Sequence, residues 1–457
     1  VTLVPPKVIL RLGSHAEKEY FLKTIDFWDG LIVGANLLEA APGATASLIL
    51  KFAGEKHQVP YYLDPMTYAF GTYVAGGITQ TNLDWIKSDQ KVKTETTDGQ
   101  RISRVQRRYK RSYRKLANEF GGPIDAALKT DSGIATLDQT QIASLSAAVV
   151  QYQATRVRRE FEDDPEYTDI ASLVPPPAAA YAPYFYIDPN NADDGLELLS
   201  QCATTAVQVE VGLPIHAIFC TDVAALGMPS LLNRAASLIK GSRVAGVWLW
   251  FSRFYEEAAS LEHLGNLRVF VEDLRETVDV FNMHGGYLSL AFSRFGLSGV
   301  SHGIGYGEQK DVIPVIGQST PTVRYYLPDL RRRLGVPQIE RALGDVGVRT
   351  AADFYNKICN CAICRGVIQT DVKQFSAFGD LHYSTEKSKR MAQTPAAARR
   401  CRFHFLLNRL RERNHVASCS ASQIADDLHG VHDKWRNQPT IRGEVDHLQR
   451  WESILRA

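Results

Sequence analysis

Three thiols crowd into six residues, Cys359-Asn360-Cys361-Ala362-Ile363-Cys364. Thiols at such spacing favour a metal over a disulfide, and a tetrahedral site needs a fourth thiolate or imidazole. His404, Cys401 and His382 lie downstream as candidates. His404 opens the run His404-Phe405-Leu406-Leu407-Asn408-Arg409-Leu410, whose pattern predicts an amphipathic helix able to turn the ring toward the cysteine loop. Cys401 lies about one turn earlier and is the alternative ligand. Four protein ligands close the coordination sphere, so the expected ion is a structural Zn2+ held by Cys359, Cys361, Cys364 and His404. The competing reading is a loop with incidental thiols. Seven cysteines are an odd count for a disulfide scaffold and point to a reducing compartment.

A second group of residues stands at the ends of apolar runs. Asp64 closes Tyr61-Tyr62-Leu63-Asp64, and Asp222 follows Ile218-Phe219-Cys220-Thr221. The pair Gly285-Gly286 follows His284, and Ser301-His302-Gly303 ends a further run. Carboxylates facing one pocket can divide nucleophilic and proton-transfer work between them. Alternatively, both aspartates cap the helices that follow their strands.

Positioning these residues requires strands whose ends converge. Runs rich in β-branched and aromatic residues occur at 7–12, 31–35, 60–64, 181–187, 214–221, 244–251, 278–284 and 298–304. Several are almost wholly apolar, as parallel strands buried on both faces must be. Alternating with helical stretches, they predict an α/β fold, a (β/α)8 TIM-like barrel, with catalytic groups at the C-terminal strand ends. A doubly wound open sheet is the alternative. The barrel is expected over residues 1–335, with a helical basic insertion at about 80–175, too long for an ordinary connection. Residues 336–457 form the expected zinc-binding and C-terminal helical region, ending in two polar helices after 420.

Between 101 and 115 the sequence carries eight cations and no anion: Arg101, Arg104, Arg107, Arg108, Lys110, Arg111, Arg114 and Lys115. They fall around most of a helix rather than on one stripe, so packing of this helix against the barrel is not expected. Phosphate contact would employ them without base specificity. A solvated charged face is the alternative. The segment Gly303-Ile304-Gly305-Tyr306-Gly307 lacks the strand–glycine–helix context of a dinucleotide fingerprint.

The rest of the chain is ordinary. Its 457 residues are 45% hydrophobic and 22% charged, with a net charge of +2, which excludes collagenous, low-complexity and largely disordered classes. No apolar run reaches a membrane-spanning length, and Val1-Thr2-Leu3-Val4-Pro5-Pro6 does not resemble a signal peptide. A cytoplasmic protein without a membrane partner is expected. The absent initiator Met suggests trimming of the first residues.

A barrel followed by Cys-x-Cys-x-x-Cys and a later helical His resembles the tRNA-guanine transglycosylase superfamily, roughly from residue 10 to 413. The Asp in Tyr61-Tyr62-Leu63-Asp64-Pro65 and the glycines of His284-Gly285-Gly286-Tyr287 add to the resemblance. The tRNA enzymes follow that Asp with Ser-Gly-Gly-Phe-Gln. Here Pro65-Met66-Thr67-Tyr68-Ala69-Phe70 follows, which looks most like the branch that inserts 7-deazaguanines into DNA. The resemblance implies a pentosyltransferase that replaces guanine in DNA by a 7-deazaguanine base through a covalent carboxylate–sugar intermediate. The same exchange on tRNA, or a catalytically silent nucleic-acid-binding paralogue, are the alternatives. DNA, the 7-deazaguanine co-substrate and partner proteins of a DNA-modification system are the implied partners.

By this resemblance Asp64 handles base protonation and recognition, and Gly285 and Gly286 admit the purine edge. His284 and His302 are expected at the pocket rim, within reach of base or phosphate. The family's nucleophilic Asp has no counterpart in Gly296-Leu297-Ser298-Gly299-Val300-Ser301-His302-Gly303. Asp222 is therefore the expected nucleophile, with Ser301, His302 or Glu308 as fallbacks. The target nucleotide must be flipped out or already unpaired.

Overall fold

Val247-Trp248-Leu249-Trp250-Phe251 shows why the central sheet forms. Every residue of its strand is buried, with Trp248 and Trp250 on one face and Val247, Leu249 and Phe251 on the other. Such a strand is stable only between two apolar layers. The computed structural model describes residues 5–70, 104–124, 137–305, 308–312, 322–385 and 388–457; for 104–111, 383–385 and 388–390 it describes the backbone alone.

The strands are β1 (Lys7–Leu12), β2 (Gly30–Gly34), β3 (Tyr61–Asp64), β4 (Ala180–Tyr181), β5 (Tyr186–Ile187), β6 (Ile215–Asp222), β7 (Gly246–Ser252), β8 (Asp279–Asn282) and β9 (Leu297–His302). All pair in parallel, in the order β3-β2-β1-β9-β8-β7-β6-β4, with β5 also on β6. The path is nearly closed, because the Ala178 N–H donates to the Tyr61 carbonyl at 2.8 Å across the remaining gap. This is the expected eight-position barrel, not the open sheet. The predicted strand 181–187 is split in two, since Pro183 has no N–H to give the ladder.

The barrel interior is packed with Ile9, Ile32, Tyr62, Tyr181, Ile218, Trp248 and Phe281. Trp248 stacks on Phe281 with ring centroids 4.5 Å apart. A second, larger core lies between the sheet and the surrounding helices.

Between β3 and β4 the chain forms the helices Arg104–Phe120 and Gln139–Glu162. The first does pack, contrary to the expectation from its charge pattern. Ser112, Leu116 and Phe120 are buried, Tyr113 meets Phe70 edge-on, and Lys115 Nζ lies 3.9 Å from Glu39. The apolar residues of its C-terminal half anchor it. The cations at 104–111 lie among side chains outside the description.

After the barrel strands come two hairpins that the sequence pattern did not reveal, Tyr325–Leu327 with Arg332–Leu334, and Leu381–Thr385 with Ser388–Gln393. The long helix Pro395–Ser418 follows, then Ala421–Trp435 and Asp446–Arg456. No helix among the described residues is long and apolar enough to cross a membrane.

Candidate active site and metal centre

Cys361 caps the short helix Ala362–Val367, its Sγ accepting the Cys364 N–H. This turn brings Cys359, Cys361 and Cys364 to one side, and the helix Pro395–Ser418 brings His404 to meet them. All four side chains are buried, and their ligand atoms lie within 4.8 Å of one another. His404 Nδ1 stands 3.3 Å from Cys361 Sγ and 3.4 Å from Cys364 Sγ. The ring's Nε2 lies 2.7 Å from the Tyr326 carbonyl, which fixes a proton there and turns Nδ1 toward the sulfurs.

Polar groups stand beside two of the thiols. The Tyr325 hydroxyl lies 3.2 Å from Cys364 Sγ, and Arg411 points a guanidinium nitrogen at Cys359 Sγ. Hydrogen bonds from Cys361 and Cys364 hold the Cys359 thiol far below its usual range, while burial pushes Cys364 up. Burial opposes charge on His404, but hydrogen bonds to Cys359 and Cys361 win and raise it to about 9. No cysteine in the chain is in a disulfide. The group can bind a metal ion: three thiols and one oriented imidazole are the donor set of a closed tetrahedral site. Cys401 instead donates to the Phe378 carbonyl, and His382 is exposed on a hairpin; neither joins the group.

Asp64 is completely buried at the end of β3. Arg11, on the inward face of β1, donates to its Oδ2 at 2.7 and 3.2 Å. The Tyr184 hydroxyl and the Met66 N–H donate to Oδ1 at 2.8 and 3.0 Å. Met66 is held in the left-handed region (φ 59°), a strained conformation for a non-glycine residue that the Asp64 bond helps hold. Arg11 was not anticipated as a site residue, yet it has a sequence signature: it is the one charge inside the apolar run Val8-Ile9-Leu10-Arg11-Leu12.

Above this pair a cavity of about 380 Å³ opens at the barrel mouth, lined by Arg11, Gly34, Met66, His284, Lys310 and Arg402 among others. Its size suits a small organic ligand. Lys310 reaches it from the segment 308–312, which crosses the barrel end. The Trp250 indole N–H donates to the Lys310 carbonyl at 2.8 Å, and the Val312 N–H donates to Ser252 at 3.1 Å. Nothing in the sequence marked Lys310.

Of the other anticipated residues among those described, only His284 lines this cavity. It meets Trp250 edge-on. Asp222 shares the inward face of β6 with Ile218 and Cys220, but both its oxygens are engaged. Arg253 grips them at 2.7 and 2.8 Å, and Oδ1 also caps the turn Val223–Gly227 through the Ala224 N–H. Gly285 is enclosed: a Cβ there would stand 2.4 Å from Ser289 Oγ and 2.7 Å from Val300. The Gly286 N–H is taken by Glu256 at 2.7 Å, whose carboxylate also accepts from Leu288 and Ser289. Gly286 faces a separate cleft of about 290 Å³ toward Arg331 and Arg333. His302 is fully buried against Phe405, and burial, with Arg409 nearby, pushes it down to about 3, so the ring is neutral.

Glu308 links the two centres. Burial works against its charge, yet Arg333 and Arg409 hold it below the usual carboxylate range. Arg409 also pairs with Glu412 on the helix that carries His404. The helix bearing the imidazole thus fastens the segment that carries Lys310 across the barrel.

The fold and sites define an α/β barrel with a cavity at its mouth and a buried Cys3His group. Comparison with protein-family models and with curated proteins gave no match.

Proposed function

We propose that this chain is a base-exchange glycosyltransferase that replaces guanine in DNA by a 7-deazaguanine base. The carrying observation is the barrel-mouth cavity with Arg11 locked onto a fully buried Asp64. An arginine fixed by a carboxylate presents a rigid donor fork, and such a fork suits a purine O6. In this reading Asp64 acts on the base through Arg11, and His284 and Lys310 flank the reacting sugar. The Cys3His group holds zinc, which supplies a structural clamp and no open coordination position.

The basic helix Arg104–Phe120 supplies sequence-independent phosphate affinity. Seven free cysteines support a reducing, cytoplasmic setting, where partner proteins of a DNA-modification system could join the enzyme. The test is labelled-guanine exchange into duplex DNA, single-stranded DNA and tRNA in parallel, with a 7-deazaguanine chase. Exchange into tRNA alone would move the substrate to RNA.

Two observations favour a second reading, a catalytically silent nucleic-acid-binding paralogue. Glu256 occupies the backbone donor of Gly286, and Arg253 occupies both oxygens of Asp222. DNA binding without exchange into any substrate would establish it.

A further inference from the structure

The exchange reading leaves the nucleophile open, because Arg253 and a turn cap engage both oxygens of Asp222, and β9 carries no acid. A group that attacks a sugar must be nucleophilic, reach the cavity and be held there. Lys310, which lines the barrel-mouth cavity, meets all three conditions. Its Nζ donates to the Tyr68 hydroxyl at 3.2 Å and lies 4.9 Å from the centre of the Trp250 ring. Its backbone is pinned by the Trp250 indole, and the neighbouring Val312 is buried in the barrel core.

We propose that Lys310 is the nucleophile, its amine capturing C1′ of the target deoxynucleotide. This rests on the base-exchange reading. The Nζ lone pair forms the bond to C1′ as the glycosidic bond breaks, and the electron pair of that bond leaves with guanine. The amine's proton passes to the departing base. The resulting glycosylamine opens to an imine as its remaining N–H proton moves to O4′. Ring closure and attack by the incoming 7-deazaguanine nitrogen release the amine, which recovers the proton that nitrogen loses. No oxidant or reductant is consumed.

The surroundings favour a neutral amine. Burial and the nearby Arg11 push Lys310 down to about 8, opposed by Asp64 and Cys220. Lysines activated in this way, by desolvation and a neighbouring cation, are the ones that form imines. Tyr68 faces the same nitrogen as a neutral hydroxyl, since burial pushes it far above its usual range.

The full-length protein is incubated with an oligonucleotide containing an abasic site, whose open form presents the C1′ aldehyde, and sodium borohydride is added to reduce any imine. The expected result is a covalent adduct that peptide mass spectrometry maps to Lys310. Lys310→Arg keeps the cation over Trp250 but removes the nucleophile, and Lys310→Met removes both. Each should lower adduct yield and guanine exchange by more than about tenfold. If both variants fail to fold, the mapped adduct in the unaltered protein still decides. An adduct on another lysine, or exchange retained in Lys310→Arg with no adduct, overturns the proposal and leaves the exchange reading standing. An adduct at Lys310 without exchange of any base supports the reactive amine and overturns the exchange reading. Neither adduct nor exchange overturns both.

Discussion

His404 Nε2 lies 2.7 Å from the Tyr326 carbonyl, and that one contact decides which nitrogen faces the three thiols. A ring whose far nitrogen donates to a carbonyl is oriented and made more basic for metal binding. Its helix also carries Arg409, which pairs with Glu308 at the barrel mouth.

Cys361→Ser should therefore do more than lower metal content. Structural zinc contributes on the order of 10 kcal/mol to the segment that holds it. The variant should bind less than the expected single zinc per chain, melt earlier and lose mouth function, although Cys361 is remote from the cavity. Elemental analysis and calorimetry read the first two effects. Normal zinc content with unchanged melting would defeat the assignment. Cys401→Ser should leave zinc content intact, since its thiol donates to the Phe378 carbonyl instead.

The Arg11–Asp64 pair should respond asymmetrically. Arg11 is 13% exposed at its side chain and Asp64 is 0% exposed. Arg11→Gln strands a buried carboxylate and should cost about 3–5 kcal/mol. Asp64→Asn leaves a guanidinium that reaches the cavity and should cost less. Urea unfolding of both variants and the double mutant gives the coupling. Equal losses, each under about 1 kcal/mol, would show that the pair behaves as a surface bridge.

The Cys3His group was legible because its evidence is local: three cysteines in six residues and a helix-borne histidine state their chemistry directly. The barrel was legible for a related reason, since β6 and β7 are long apolar runs that only a two-sided core accepts. The hairpins after the barrel strands were not, because strands such as Leu381-His382-Tyr383-Ser384-Thr385 are polar and short. The mouth was legible only in part. Asp64 and His284 stand at readable strand ends, but Arg11, Tyr184 and Lys310 come from distant segments and meet only when the barrel closes. Arg253 shows the same limit, since it neutralises Asp222 from the neighbouring strand end.

Acid should act through His447. Burial pushes this ring down from 6.5 to about 3, helped by Arg332 and Arg450, while its Nε2 sits 2.9 Å from the Leu330 carbonyl. As pH falls below 6.5 the unfolded chain takes up a proton that the folded ring refuses, so stability is lost on acidification through that window. His447→Gln keeps a donor but does not titrate. Going from pH 7.5 to 5, the unaltered protein should lose about 2 kcal/mol more than the variant. Parallel pH dependences in chemical denaturation would show that this ring charges freely in the fold.

The basic helix should reveal itself through salt rather than through affinity alone. Leu116 and Phe120 anchor its C-terminal half, so Arg107, Arg108, Arg111 and Arg114 can be replaced by Gln without removing that packing. Melting of the same variants reports any loss of fold and keeps it apart from loss of phosphate contact. Each phosphate-binding cation removed should flatten the slope of log affinity against log salt by about 0.9 on duplex DNA. The weakening should be uniform across DNA sequences, since phosphates carry no sequence information. Binding measured at several salt concentrations separates this from the alternative. An unaltered slope with unaltered melting would reduce the helix to a solvated face and move the nucleic-acid contact to the arginines of the barrel mouth, Arg11 and Arg402.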